Sequence, residues 1–177
     1  MIVMMAGLPG TGKSTLARTL AQRLAGAVLD KDIIRAALFE SAHIEYSRAQ
    51  DDFCQEIMLD TAAYLLEKNS SLFVFLDGRT FSLGYQRQRV IEFCSQRRIE
   101  WGLLECTCAE PTALERLQRA VAEQTHPAMN RTPELYHQLR QAWEPIELPK
   151  LLLDTDESLD SCAEQAMRYL VGASRPR

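Results

Sequence analysis

The chain has 177 residues, 46% of them hydrophobic and 25% charged, so it can bury a core within one domain spanning residues 1–177. Its net charge of −4 is not that of a dedicated nucleic-acid binder, and no apolar run approaches the roughly 18–20 residues of a membrane span. Together with an odd number of cysteines, five, these properties predict a soluble cytoplasmic protein with no membrane partner.

Short apolar runs alternate with helical patterns along the whole chain. The apolar runs predict five buried strands, at residues 2–6, 27–30, 72–77, 101–107 and 151–154. The intervening patterns predict helices at residues 13–24, 31–39, 48–68, 84–97, 110–122, 133–142 and 158–171. Continuous apolar strands that alternate with helices are typical of an α/β fold in which both faces of a parallel sheet are covered.

A glycine-rich stretch follows the first predicted strand and fits the pattern G-x-x-x-x-G-K-[ST]. It consists of Gly7, Leu8, Pro9, Gly10, Thr11, Gly12, Lys13 and Ser14. Glycines let the backbone turn its N–H groups inward around an anion, and the helix that begins there adds partial positive charge. We expect Lys13 to reach the β- and γ-phosphates of a nucleotide, Ser14 to ligate Mg²⁺, and Thr15 to lie beside the phosphates. The motif therefore predicts a site for a nucleoside triphosphate.

The second predicted strand ends in the charged sequence LDKDIIR. In an open α/β sheet, the carboxyl ends of the strands line the ligand crevice. Asp32 is therefore our candidate for the base that accepts a proton from an acceptor hydroxyl. Arg35, one helical turn later, is the candidate for orienting the acceptor through a phosphate or carboxylate. The alternative is that Asp30 or Asp32 only caps the helix, with Arg35 paired to it.

The third predicted strand ends in LFVFLDGRT, which places Asp77 where a carboxylate is expected near Mg²⁺. The next residue is Gly78, whereas ATPases, which transfer the γ-phosphate to water, usually carry a glutamate there. No N-K-x-D guanine signature follows, so the sequence favours a kinase that uses ATP over an ATPase or a GTPase. Arg79 and Thr80 either line the acceptor site or form an ordinary turn.

Two arginines, Arg116 and Arg119, lie three residues apart on the helix predicted at 110–122. The polar segment after this helix contains a further arginine, Arg131. We interpret residues 116–134 as a lid whose arginines bind the nucleotide, with Arg119 covering the γ-phosphoryl group during transfer. The alternative is a solvated helix face.

Five segments together resemble the P-loop kinase family: GLPGTGKST, DKDIIR, FLDGRTF, ECTCAEPTALERLQR and LLLDTDESLD. More closely, they resemble its branch labelled AAA-family ATPase, which groups with zeta-toxin-like and polynucleotide-kinase-like enzymes. The resemblance spans nearly the whole chain. It implies a three-layer P-loop NTPase fold, with a five-stranded parallel sheet in the order 2-3-1-4-5, helices on both faces and an arginine lid between the fourth and fifth strands. Asp32 and Arg35 match the D-x-x-R pair of the polynucleotide 5′-hydroxyl kinases, and the family's lid arginines fall on Arg116 and Arg119.

These features predict an ATP- and Mg²⁺-dependent kinase whose partner is a small polar molecule that carries a hydroxyl group. The residues expected to act in catalysis are Lys13, Asp32, Arg35 and Arg119. The first alternative is a kinase for 5′-hydroxyl ends of nucleic acid. A groove beside Asp32 lined by several lysines or arginines would favour it, whereas the acidic net charge favours the small acceptor. The second alternative is a nucleotide-dependent switch that has no acceptor.

Overall fold

The computed structural model describes residues 1–122 and 132–173. Its strands are β1 (Ile2–Ala6), β2 (Ala27–Asp30), β3 (Val74–Asp77), β4 (Trp101–Thr107) and β5 (Leu151–Asp154). Its helices are α1 (Lys13–Arg23), α2 (Lys31–Leu38), α3 (Arg48–Lys68), α4 (Gly84–Arg97), α5 (Glu110–Ala122), α6 (Pro133–Gln141) and α7 (Leu159–Ala173), with a short 3₁₀ turn at Ser41–His43.

The strands form one five-stranded sheet in the order β2-β3-β1-β4-β5, and every neighbouring pair is parallel. This confirms the predicted fold class and strand order. Because all strands run in the same direction, their carboxyl ends meet at one edge of the sheet. The glycine-rich loop after β1 lies at this edge together with Asp30 and Asp77, which are register partners at the ends of β2 and β3.

Alternate residues of β1 supply the core on the two faces of the sheet, as the period of two along a strand requires. Ile2, Met4 and Ala6 pack on one face with side chains of α3 and α4. Val3 and Met5 pack on the other face with side chains of α1 and α7. All five residues are buried, so β1 reads as a continuous apolar run, which explains why the sequence alone locates it.

Most predicted element ends coincide with the observed ones, and the remainder differ by one or two residues. The largest shift in a strand is in β3, which begins at Val74 instead of residue 72. Leu72 lies before the ladder, and its carbonyl oxygen accepts a hydrogen bond from the amino group of Met1 at 2.9 Å. The apolar run therefore predicts too long a strand, because apolar residues indicate burial and not hydrogen bonding to a neighbouring strand.

Within the described parts of the chain, no helix is both long and apolar enough to cross a membrane.

Candidate active site

The glycine-rich loop between β1 and α1 is packed tightly against its neighbours. Gly7, Gly10 and Gly12 all have positive φ angles, 139°, 82° and 76°, which side chains disfavour. A Cβ atom at Gly7 would overlap the carbonyl oxygen of Cys106, and one at Gly10 would overlap that of Ala113. The sequence from Gly7 to Ser14, with Thr15 in the first turn of α1, therefore forms a closely supported loop whose helix end can face an anion.

Lys13 is buried at the start of α1, and its ammonium group lies over the loop. Its Nζ atom donates hydrogen bonds of 2.7 Å to the carbonyl oxygens of Gly7 and Leu8. Lys13 also lines two neighbouring cavities at the carboxyl edge of the sheet. Its charge is therefore placed at the junction of these cavities.

The first cavity, which we call the P-loop cavity, has a volume of about 490 Å³. Its lining residues come from the glycine-rich loop, α1, α5 and the segment after β5: Gly10, Gly12, Lys13, Ser14, Thr15, Leu16, Arg18, Arg116, Ala120, Thr155, Glu157, Leu159 and Cys162. Arg116 donates from Nη2 to the carbonyl oxygen of Thr155 at 2.8 Å and from Nη1 to the Thr155 hydroxyl at 3.1 Å. The Thr155 hydroxyl in turn donates to the carbonyl oxygen of Thr11 at 3.1 Å or to that of Thr107 at 3.0 Å. These contacts hold a cation beside the loop at the wall of the P-loop cavity.

The other predicted lid arginine, Arg119, points away from the P-loop cavity. Its side chain is 62% exposed and pairs with Glu115 at 2.7 Å on the surface of α5. The structure therefore brings Arg116, and not Arg119, to the loop. Arg131 and most of the segment after α5 that the lid prediction covers lie outside the described residues.

Asp77 is fully buried at the end of β3. Neither of its carboxylate oxygens has a hydrogen-bond partner among the described residues. A buried carboxylate without partners is expensive, so this site suits a cation or cation-bound water. The hydroxyl of Ser14 and the carboxylate of Asp77 are the oxygen ligands that Mg²⁺ prefers, although no group of three acidic, histidine or cysteine side chains suited to a metal occurs in residues 1–122 and 132–173.

Asp30 caps α2: its Oδ1 atom accepts hydrogen bonds from the backbone N–H groups of Asp32 at 2.8 Å and Ile33 at 3.4 Å. Burial, and then the adjacent charge of Asp77, raise the pKa of Asp30 above its ordinary value. The capping role that the sequence left open between two aspartates therefore belongs to Asp30, which leaves the side chain of Asp32 for other contacts.

The second cavity, which we call the Asp32 cavity, has a volume of about 210 Å³. Among its lining residues are Asp32, Arg35, Tyr46, Arg48, Arg79 and Thr80, with Leu135, Leu139 and Ala142 near α6.

Asp32 accepts a hydrogen bond of 2.9 Å from Arg35 Nη1 and lies 3.4 Å from Lys31 Nζ. Both cations also pair with Asp51, which lies at 2.7 Å from Lys31 Nζ. Two cations thus fix the Asp32 carboxylate at the wall of the cavity.

Arg79 is 3% exposed and lines the Asp32 cavity from the end of β3. Its Nη2 atom donates to Asp52 and to the Tyr85 hydroxyl, the latter at 3.1 Å. Its Nε and Nη1 atoms have no hydrogen-bond partner among the described residues. Leaving a buried donor unpaired costs about 1–3 kcal/mol, so a partner that enters the cavity would be favoured.

Sequence reasoning missed two residues of this region. Asp51 was not recognised, although it completes the network around Arg35 from 16 residues away. Thr155 was also missed, although it follows β5 and could have been found by the rule that selected Asp77, since strand ends line the crevice. Asp51 carries no such signal, because its contact depends on how α3 packs on α2.

The parallel sheet in the order 2-3-1-4-5, with the glycine-rich loop wrapping the start of α1 and an acidic residue ending β3, defines the P-loop NTPase fold. The sequence profile of an AAA domain family matches residues 2–145, so the chain belongs to that family. A search of curated proteins by sequence found no match.

Several solved structures share this fold across nearly the whole chain. The Mycobacterium tuberculosis APS kinase CysC in complex with AMPPNP and APS has a TM-score of 0.74 and 21% identity, covering 96% of both chains. Chaetomium thermophilum Kti12 in complex with ADP-AlF3 has a TM-score of 0.74 and 16% identity, covering 99% of this chain and 100% of that chain. A gluconokinase from Sinorhizobium meliloti 1021 has a TM-score of 0.65 and 15% identity, covering 98% of this chain and 97% of that chain.

Proposed function

We propose that the protein is an ATP- and Mg²⁺-dependent kinase that transfers the γ-phosphate of ATP to a hydroxyl group of a small polar acceptor. The observation that carries this proposal is that Lys13 lines both cavities. A nucleotide in the P-loop cavity would therefore place its terminal phosphate at the mouth of a second cavity that contains a carboxylate, Asp32. A protein that only hydrolyses ATP has no need of such a second cavity.

In this proposal, the reaction depends mainly on positioning and on charge neutralisation, as is usual for phosphoryl transfer. Lys13 would contact the β- and γ-phosphates, while Ser14 and Asp77 would hold Mg²⁺. The metal neutralises charge on the phosphates when it is bound. Asp32 accepts the proton of the acceptor hydroxyl as the hydroxyl oxygen bonds to the γ-phosphorus atom. The bond from that phosphorus to the β–γ bridging oxygen breaks, and ADP leaves.

The arginines divide into three roles. Arg35 fixes the orientation of Asp32 and lines the acceptor side. Arg116 binds the nucleotide from α5, since it already lies at the P-loop cavity. Arg119 would reach the γ-phosphoryl group only if a lid formed by residues 116–134 closed over it, so its catalytic role depends on that movement.

Two of the structural relatives are named as kinases, an APS kinase and a gluconokinase, which supports the reaction class. The APS kinase was solved with AMPPNP and Kti12 with ADP-AlF3, which supports nucleotide binding. All five cysteines are free, which suits the cytoplasm, where thiols stay reduced and ATP is supplied.

A second candidate is the phosphorylation of 5′-hydroxyl ends of nucleic acid, as in the polynucleotide-kinase-like branch. The observation that favours it is that four basic side chains besides Lys13 line the Asp32 cavity: Lys31, Arg35, Arg48 and Arg79. However, Lys31 and Arg35 are paired with Asp32 and Asp51. The small volume of the cavity, about 210 Å³, also suits a small acceptor better than a strand.

The experiment is to measure ATP consumption with a panel of acceptors, using wild type, Lys13→Ala and Asp32→Ala. The panel contains sugars, sugar acids, nucleosides, aminoglycosides and a 5′-hydroxyl oligonucleotide. We expect one small acceptor to raise turnover strongly, and both variants to lose that stimulation. Stimulation by the oligonucleotide alone would favour the second candidate. If no acceptor stimulates turnover while ATP still binds tightly, the kinase proposal fails and a nucleotide-dependent switch becomes the better explanation.

A further inference from the structure

The position of Arg79 follows from the turn that ends β3. Gly78 has a φ angle of 79°, a left-handed conformation at the bend immediately after Asp77. A Cβ atom at Gly78 would lie only 2.6 Å from Asp30 Oδ1, so glycine also permits the close approach of α2. The turn therefore delivers the next residue, Arg79, to the wall of the Asp32 cavity.

The guanidinium of Arg79 is only partly used by the protein. Of its five N–H donors, those on Nη2 face Asp52 and Tyr85. The three on Nε and Nη1 have no partner within residues 1–122 and 132–173. Arg35 differs, since both of its terminal nitrogens are paired with carboxylates and only Nε is left. Arg79 is thus the buried cation of this cavity with the most donors to offer a ligand.

The charge balance of the cavity points in the same direction. Lys31 and Arg35 form a closed network with the two carboxylates of the lining, Asp32 and Asp51. Arg79 pairs instead with Asp52, which is 46% exposed and does not line the cavity. Arg48, an exposed residue at the start of α3, adds a further positive charge to the lining. The cavity is therefore basic on the side of Arg79 and Arg48.

We infer that the acceptor is a small anion, a hydroxyl compound with a carboxylate or phosphate group, and that Arg79 binds that group. This inference rests on the proposed function, which places the acceptor hydroxyl at Asp32. Guanidinium groups suit both oxyanions, because their planar N–H donors match the spacing of carboxylate and phosphate oxygens. Arg79 then selects the acceptor, while Asp32 acts on its hydroxyl.

The competing explanation is that Arg79 only ties α3 to α4 through Asp52 and Tyr85. In that case, replacing Arg79 would lower stability and affect all acceptors alike. A role in selection would instead change the affinity for acidic acceptors and leave their neutral counterparts unaffected.

The experiment measures acceptor binding by calorimetry in the presence of Mg²⁺ and AMPPNP. The acceptors are matched pairs that differ by one anionic group: glycerol and glycerate, glucose and gluconate, and ribose and ribose 5-phosphate. A 5′-hydroxyl oligonucleotide is included as a separate arm. The variants are Arg79→Gln and Asp52→Asn, with Arg89→Gln as the matched control, because Arg89 pairs with Glu56 outside both cavities.

We expect at least one acid to bind tenfold or more tightly than its neutral partner. Arg79→Gln should remove that preference and leave the neutral partner unchanged, while Arg89→Gln should alter neither. The inference is overturned if no acid is preferred, if the preference survives in Arg79→Gln, or if the oligonucleotide binds more tightly than every small acid.

The Asp52→Asn variant keeps the inference testable if Arg79→Gln does not fold. Removing the carboxylate that competes for Arg79 should strengthen acid binding about threefold, and unchanged or weaker binding would contradict the inference. Phosphotransfer from labelled ATP is measured in parallel. An acid that binds in an Arg79-dependent way without being phosphorylated would refute the kinase proposal, whereas phosphorylation of neutral acceptors independent of Arg79 would refute only the anion inference.

Discussion

The P-loop cavity and the Asp32 cavity meet at Lys13, but they are built from different kinds of sequence. The P-loop cavity takes most of its polar groups from one continuous stretch, residues 10–18, and adds a wall from α5 and the segment after β5. The Asp32 cavity collects side chains from α2, α3, the turn after β3 and α6. A site made by one loop binds the group common to all nucleotides, whereas a site assembled from several elements can change its ligand by single substitutions.

The largest expected effect comes from the residue that the two cavities share. Lys13→Ala should lower turnover by several orders of magnitude and weaken ATP binding at least tenfold, because it removes the charge that faces the phosphates. Turnover and calorimetry on the same protein measure both effects. Lys68→Ala is the matched control, since Lys68 lies over the ring of Tyr64 on the surface of α3 and lines neither cavity. Unchanged ATP affinity in Lys13→Ala would contradict the role of Lys13 in binding ATP in the P-loop cavity.

The next substitution acts on one cavity alone. Asp32→Asn should reduce turnover with the best acceptor by about 10²–10⁴-fold, the usual contribution of a positioned base. The affinity for ATP should stay within about twofold, because Asp32 does not line the P-loop cavity. A steady-state assay and ATP titration measure the two quantities. Equal losses of turnover and of ATP affinity would contradict the assignment of Asp32 to the acceptor cavity alone.

The two arginines of α5 give a paired comparison with a smaller effect. Arg116→Ala should weaken ATP binding about tenfold, or about 1.4 kcal/mol, because Arg116 lies at the P-loop cavity. Arg119→Ala should change ATP binding less than twofold, because an exposed ion pair with Glu115 contributes little. If Arg119→Ala instead lowers the turnover number without affecting ATP binding, a lid closes during the reaction and brings Arg119 to the phosphoryl group.

The smallest effect concerns the neighbouring carboxylates of Asp30 and Asp77, at the ends of β2 and β3. Because the pKa of Asp30 is raised in the folded state, the folded protein binds more protons than the unfolded chain between the ordinary pKa of 3.8 and the raised value. The contribution of Asp30 to stability therefore falls as the pH rises through this window. Asp30→Asn keeps a capping side chain and removes the charge beside Asp77. Its free energy of unfolding should exceed that of wild type increasingly from pH 4 to pH 7, as denaturant titrations would show, and a gap that shrinks with pH would contradict the assignment.

The sequence could predict what local pattern controls. Residues of the glycine-rich loop, the buried strands and the acidic end of β3 each carry their signal within a few positions, and the structure places them as expected. The order of the strands is not contained in such patterns and came from the family resemblance. Fold prediction succeeded because both sources agreed.

The partners of the charged residues could not be predicted in the same way. Arg116 and Arg119 lie three residues apart on one helix, so periodicity alone gives them similar directions. The structure separates them because Arg116 is held by Thr155, 39 residues away, whereas Arg119 finds Glu115 within its own helix. The free donors of Arg79 were equally hidden, since they depend on which atoms its neighbours leave unpaired.

The hydroxyl of Thr155 has a consequence for the time course of synthesis. It hydrogen-bonds to the backbone of Thr11, which is 144 residues earlier in the chain. A ribosome that adds roughly 5–20 residues per second would therefore need roughly 7–30 s to make Thr155 after Thr11. Throughout this interval the glycine-rich loop exists without the contact that completes its cavity. A nascent chain would accordingly retain a nucleotide tightly only after β5 has joined the sheet. Retention of the nucleotide would then indicate that the sheet is complete.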